Sequence, residues 1–263
     1  MSFTEEQIAP CLLEGGQTIM VTLTNSGYLL YTLNLLKSLQ PFGLDKKILI
    51  ICMDTPVAET LQQRGYHAHS ENQESLSRFC PWNTKGYDEI CYMKLRVIHK
   101  LLSMGKNVLL VDGDVVFRKN PLEDLKRLQA SNPSDPSAYD VYVQNDAQRD
   151  QDTTNLCTGY MWIRATPVTL QAYDCVSPEG QERYRRCAFD NNDQTYFNKY
   201  AKPVTRVYAL PLEDYPNGKM YLENKAKIHH QCVLVHFNWL KGHEKLVTMK
   251  RHGMWLLTAE EEC

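Results

Sequence analysis

The chain has 263 residues, 43% hydrophobic and 23% charged, with a formal net charge of −2. That is enough apolar material for one sizeable core, and there is no overall basic field to draw nucleic acid. Its apolar runs, such as Ile48 to Met53, are too short to span a bilayer. The opening Met-Ser-Phe-Thr-Glu-Glu-Gln has neither the basic nor the apolar stretch of a secretory signal. Nine cysteines at scattered spacing, with no C-x-x-C pair, read as reduced and mostly buried thiols of a cytoplasmic protein.

Residues 18 to 24 are apolar and β-branched and predict a strand, closed by the polar segment Thr24-Asn25-Ser26-Gly27-Tyr28. Leu29, Leu33 and Leu36 have helical spacing over Leu29 to Leu39, and Pro41 and Gly43 end the helix. Lys47 to Asp54 reads as a second buried strand, Pro56 to Gln63 as a short helix stopped by Gly65, and Tyr66 to His69 as a third strand. A helix from Asp88 to Met104 leads through Gly105-Lys106-Asn107 into the strand Val108 to Val111. That strand ends in Asp112-Gly113-Asp114 and continues into Val115-Val116-Phe117. The alternation of strand and helix predicts an α/β fold: one Rossmann-like domain over 1–263, its mostly parallel sheet flanked by helices.

Beyond residue 117 the pattern is less regular. Ser131 to Ser137 is a turn-rich loop, Val141 to Val143 and Gly159 to Ile163 read as strands, and Pro167 to Cys175 reads as a helix. Asn191-Asn192-Asp193 predicts a turn, Asp193 to Asn198 the start of another helix, and Cys232 to Phe237 the last core strand before a basic C-terminal helix. The domain divides into a nucleotide-binding half, about 18–117, and an acceptor half, about 118–255.

Asp112 and Asp114 are the most informative pair. In an extended segment residues i and i+2 point to one side, so both surface carboxylates face one point at the C-terminal end of a buried strand. Open α/β sheets bind their ligands there. Two adjacent carboxylates repel, and a hard divalent cation, manganese or magnesium, relieves the repulsion. With a nucleoside diphosphate as ligand, such a cation bridges carboxylate and phosphate.

Five segments in order, over residues 18 to 255, resemble the nucleotide-diphospho-sugar transferases of the GT-A type. They are Thr24-Asn25-Ser26-Gly27-Tyr28, the D-x-D of Asp112-Gly113-Asp114, Thr158-Gly159-Tyr160-Met161 before Pro167, Asp193-Gln194-Thr195-Tyr196-Phe197-Asn198, and His236-Phe237-Asn238-Trp239 with Gly242 and Lys245. The chain is most similar to glycosyltransferase family 77, with algal and giant-virus members, and more distantly to the glycogenin-like family 8. The resemblance implies transfer of a sugar from a nucleoside diphosphate sugar, with UDP favoured, to a hydroxyl of a glycan or glycoprotein acceptor, with retention of configuration. It makes His236 the third metal ligand beside Asp112 and Asp114. Thr22, Thr24, Asn25, Tyr28, Lys94, Gly113, Gly242 and Lys245 become donor contacts, with Lys94 preferred over Arg96 on the preceding helix. Asp193 and Gln194 become the catalytic pair, contacting the transferred sugar or the acceptor, with Asp193 the candidate where a side-chain nucleophile or base is needed. The chain departs from the family pattern at Cys157, where an asparagine is expected; Asn155 stands two residues upstream.

Each residue also has a plainer reading. His236 alone reads as a core histidine, Asp193-Gln194 as a helix cap, and Trp162 and Trp239 as packing residues. Two other function classes stay open: a metal-dependent nucleotidyltransferase, which would release pyrophosphate, and a non-catalytic nucleotide-sugar-binding protein.

Overall fold

The computed structural model describes residues 3–13, 15–130, 138–187, 192–228 and 232–262. The loop expected at Ser131 to Ser137, and Asn191 of the expected turn, lie outside them; Asn192 belongs to a helix. In chain order the elements are α1 (Glu5–Ile8), β1 (Thr18–Thr24), α2 (Leu29–Leu39), β2 (Ile48–Cys52), α3 (Thr55–Gln63), β3 (His67–Ser70), α4 (Lys85–Ser103), β4 (Asn107–Val111) and β5 (Val115–Phe117). They continue as α5 (Pro121–Ala130), β6 (Val141–Asn145), β7 (Leu156–Ile163), α6 (Pro167–Ala172), α7 (Pro178–Arg185), α8 (Asn192–Tyr196), β8 (Val207–Leu210), α9 (Gly218–Ile228), β9 (Leu234–His236) and α10 (Gly242–Arg251).

Seven strands form one sheet in the order β3-β2-β1-β4-β7-β6-β8. β1 runs parallel to β2 and β4, β2 to β3, and β6 to β8, whereas β7 is antiparallel to both neighbours. Every residue of β2 and of β7 is buried, so their side chains read as apolar runs without alternation. Side chains leave each strand on alternate faces. Ile19, Val21, Leu49 and Ile51 therefore pack with α4, α6, α7 and α8 on one face. Met20, Ile48, Ile50 and Leu109 pack with α2, α3 and α5 on the other. The chain order reverses between β1 and β4, and the crevice between their C-terminal ends is where such sheets take ligands.

Four expectations are corrected. Residues 112–114 are a turn, not extended strand: the Val115 amide donates to the Asp112 carbonyl at 3.1 Å, and the Asp112 amide to the Gly159 carbonyl at 2.7 Å. The apolar run 115–117 leaves the main sheet and pairs with β9, Val115 opposite His236. The last strand is thus not in the main sheet but in this two-stranded ribbon, which holds His236 against the end of β4. β7 begins earlier than expected, at Leu156, and its ladder with β6 breaks between Cys157 and Met161. Val143 faces Met161 but Gln144 faces Cys157, leaving Thr158 to Tyr160 without partners on β6. Irregularities of this kind re-aim side chains beside functional sites.

α4 is the longest helix. Thr84 caps it, its hydroxyl accepting from the Tyr87 amide at 3.3 Å, a contact worth about 1 kcal/mol. Cys91, Lys94, Leu95, Ile98, Leu101 and Leu102 form its buried stripe. Lys94 is thus a charged residue at a core position.

Candidate active site

At the C-terminal ends of β1 and β4, a cleft of about 750 Å³ is lined by Thr24, Tyr28, Lys94, Asp112, Gly113, Asp114, Asp193, Gln194, His236, Gly242 and Lys245. They come from β1, the helical turn Ser26–Tyr28, α4, the 112–114 turn, α8, β9 and α10, so residues far apart in sequence meet in one place. Two residues expected there are elsewhere. Thr22 is fully buried in mid-strand, opposite Ile50. Asn25 is buried with its amide donating to the carbonyls of Leu76 at 2.7 Å and Arg78 at 2.9 Å. It anchors the loop leading to Phe79 and Trp82 instead of facing a ligand. Gly27 adds to this, because a Cβ there would lie 2.0 Å from the Phe79 amide nitrogen.

Asp112, Asp114 and His236 each offer a ligand atom, all within 4.8 Å of one another. His236 Nε2 lies 3.3 Å from Asp114 Oδ1 and 3.9 Å from Asp112 Oδ2. Two carboxylate oxygens and one imidazole nitrogen suit manganese or magnesium. The space is reserved at Gly159: a Cβ would lie 2.1 Å from His236 Cε1 and 2.8 Å from both His236 Nε2 and Asp112 Oδ2. The residues therefore fit a divalent cation. Asp114 is not the surface carboxylate expected from the sequence. It is 3% exposed and paired with the Lys245 ammonium, which also donates to the Tyr28 hydroxyl at 3.2 Å.

A second ion cluster adjoins the first. Lys94 Nζ bridges Asp112 Oδ1 at 2.9 Å and Asp193 Oδ2 at 2.7 Å. The Thr158 hydroxyl donates to the same Asp193 oxygen at 2.7 Å. Burial penalises the charged forms of Lys94 and Asp193, yet mutual attraction wins. Asp112 and Asp193 hold the Lys94 ammonium well above its usual range, and Lys94 holds the Asp193 carboxyl below its own. At Asp114, burial likewise favours the neutral acid, but Lys245 and then His236 pull it far below the carboxylate range. Burial also works against His236 carrying charge, and Asp114 outweighs it, raising the imidazole well above its ordinary value. Asp114 and Asp193 are thus held ionised on the cleft floor, each against a lysine ammonium.

Gln194 and the unforeseen Asp146 close the other wall. Asp146 Oδ1 accepts from Asn238 Nδ2 at 2.8 Å and from the Trp239 indole at 3.1 Å; Oδ2 accepts from Gln194 Nε2 at 3.0 Å and Asn155 Nδ2 at 3.2 Å. Asn155 therefore serves this network, while Cys157 occupies the cleft wall, 3.6 Å from His236 Nδ1. At the rim, Phe79, Trp82 and Trp239 are 44%, 46% and 49% exposed, and the Lys241 ammonium lies 4.0 Å from the Trp82 ring centroid. Trp162 packs in the core as expected, but Trp239 does not. Its only sequence signal is its place beside His236 and Asn238.

The sequence profile of nucleotide-diphospho-sugar transferases matches residues 43–249. The chain is similar to a UDP-galactose:fucoside alpha-3-galactosyltransferase of Dictyostelium discoideum, with 23% identity over 92% of this chain and 43% of that protein. It also resembles UDP-D-xylose:L-fucose alpha-1,3-D-xylosyltransferase 3 of Arabidopsis thaliana, 22% identical over 92% of this chain and 67% of that one. The chain spans less than half the length of the Dictyostelium relative. Its fold is that of the glycosyltransferase GlyE of Streptococcus pneumoniae TIGR4, with a TM-score of 0.53 at 15% identity over 92% of this chain and 61% of that chain.

Proposed function

The chain belongs to the nucleotide-diphospho-sugar transferase family, and from that premise we propose that it is a metal-dependent glycosyltransferase. In this reading it moves a sugar from a nucleoside diphosphate sugar, UDP being the favoured nucleotide, to a hydroxyl of a glycan or glycoprotein acceptor, with retention. One observation carries it: Asp112, Asp114 and His236 converge beside the Lys94–Asp193 pair in a single cleft at the strand ends. The names of two relatives, each of which uses a UDP-sugar, favour UDP.

Asp112, Asp114 and His236 would hold a manganese or magnesium ion. Bound there, the ion supplies positive charge that makes the departing diphosphate a better leaving group. Lys245 adds a second positive charge from the N-terminal turn of α10, where the helix dipole also favours phosphate. Asp193, kept ionised by Lys94 and fixed by Thr158, presents negative charge toward the sugar as positive charge develops at its anomeric carbon. Gln194 spends its amide protons on Asp146 and Asn155, both at 3.0 Å, which leaves its carbonyl oxygen to accept from a sugar hydroxyl. The proton of the attacking acceptor hydroxyl passes to the leaving diphosphate on the same face of the sugar.

The eight described cysteines are all free thiols and seven are buried, which supports a reducing, cytoplasmic setting. Among the described residues no helix is long and apolar enough to cross a membrane.

Product analysis tests this reading. Incubation with UDP-sugars and manganese should release UDP slowly by hydrolysis, and faster with a glycan acceptor. Pyrophosphate as the product would identify a nucleotidyltransferase. No turnover of any nucleotide sugar that binds would identify a non-catalytic binder.

A further inference from the structure

Gln144 is fully buried near the end of β6, where the ladder with β7 breaks. Its amide nitrogen lies 3.0 Å from the Tyr215 carbonyl and 3.1 Å from the Pro216 carbonyl. Carbonyl oxygens only accept, so both contacts must be donated by the amide N–H groups, and this fixes which end of the side chain is nitrogen. The amide oxygen then lies 2.8 Å from His236 Nδ1. An amide oxygen also only accepts, so the hydrogen in that contact belongs to Nδ1. The Pro216 carbonyl accepts from the His236 backbone amide as well, at 3.2 Å, so strand β6, the 215–216 segment and β9 are locked in one ring of contacts.

We propose that Gln144 is a positioning residue that holds the imidazole of His236 in the Nδ1–H tautomer, with its Nε2 lone pair aimed between Asp112 and Asp114. The proposal rests on the reading of these three residues as a cation site and adds the group that orients one of them. In the other tautomer the Nδ1 lone pair would face the lone pairs of the Gln144 oxygen, and an N–H would point where a cation belongs. Rotating the ring about its bond to the chain is opposed from the far side by Gly159, whose Cα lies against it closely enough that a single methyl group would collide with Cε1. Cys157 Sγ, at 3.6 Å from the same Nδ1, is a weaker partner than the amide oxygen at 2.8 Å. Partners of this kind fix the orientation of a metal-binding imidazole, and losing one costs about 10- to 100-fold in metal affinity.

The test uses manganese alone, without nucleotide. Calorimetry would compare the wild-type protein with Gln144→Met, which keeps the shape but removes the acceptor, with Gln144→Glu, which restores an acceptor oxygen, and with His236→Ala. Gln144→Met should weaken manganese binding about 10- to 100-fold. Gln144→Glu, which restores the acceptor but loses the N–H groups that anchor it to the Tyr215 and Pro216 carbonyls, should recover part of the loss. In parallel, long-range ¹H–¹⁵N NMR of the wild type loaded with diamagnetic magnesium, which would take the place of any Nε2 proton, should show the His236 proton on Nδ1. This spectrum decides the matter even where Gln144→Met fails to fold. Manganese binding unaffected by Gln144→Met but lost in His236→Ala would overturn the role of Gln144 and leave the cation site standing. Equal binding by wild type and His236→Ala would overturn the cation site itself. A proton found on Nε2 would overturn the proposal in either case.

Discussion

The floor and the rim of the cleft are built from opposite materials. On the floor, Asp112, Asp114, Asp193, Lys94, Lys245 and His236 bind one another, and all but Asp112 are less than 10% exposed. On the rim, Phe79, Trp82 and Trp239 expose nearly half of their surface. Charges held in a poorly solvated place interact strongly with an ionic ligand and tolerate little displacement. Exposed aromatic rings, by contrast, offer broad contact to a neutral ligand. The contrast teaches that the floor suits the diphosphate and the reacting carbon, whereas the rim suits the neutral parts of donor and acceptor. Substitutions on the floor should therefore disturb folding and chemistry together, and substitutions on the rim only recognition.

The largest effect is expected at Asp114. Removing it in Asp114→Ala strands the Lys245 ammonium and His236 in a buried setting. Breaking a buried pair from one side costs about 3–5 kcal/mol, so this variant should lose activity and also melt at a clearly lower temperature. An unchanged melting temperature would mean that the floor is not a mutually dependent ion cluster. Gly159→Ala comes next. The added methyl has no room beside His236 and Asp112, so manganese affinity should fall by at least the roughly 10- to 100-fold seen when a ligand's support is lost. Wild-type manganese affinity in that variant would show that the imidazole moves freely.

Asp193→Ala separates chemistry from binding. Transfer should fall about a hundredfold or more, the range for one oriented polar group at a reacting centre. UDP affinity should fall much less, because Asp112, Asp114 and Lys245 still hold the diphosphate and Asp193 reaches them only through the shared Lys94. A drop in melting temperature with near-normal turnover would make Asp193 a structural partner of Lys94 and nothing more. The smallest effect belongs to the rim. Trp239→Ala should leave UDP affinity and hydrolysis of the donor within about twofold of wild type. It should raise the acceptor KM about two- to tenfold, the scale of one lost aromatic contact of about 0.5–1.5 kcal/mol. Equal losses with and without acceptor would place Trp239 at the donor.

The legible and illegible parts of the chain divide on physical lines. The parallel half was readable because its strands are buried on both faces, as in Ile48–Cys52, and its helices carry one apolar stripe. Lys94 was reached through the family resemblance alone, although its place in the stripe of Cys91, Ile98 and Leu101 marks it as a buried charge. α7 went unread because it is mostly polar and braced by its own pairs, Arg183 with Glu179 and Arg186 with Glu182. β8, half-buried at the sheet edge, has no clear period. Thr22 was misplaced because membership in a motif does not say which strand residue reaches the end. Gln144 and Asp146 escaped because their importance lies in contacts reaching as far as 92 and 93 residues along the chain, which no local pattern records.

The central claim is that the floor binds a diphosphate through a divalent cation held by Asp112, Asp114 and His236. Calorimetric titration of the wild-type protein with UDP, once in manganese and once in EDTA, tests it most directly. Neutralisation of charge by the cation amounts to several kcal/mol, so UDP should bind at least about a hundredfold more tightly in manganese. Equal affinity under the two conditions would contradict the claim.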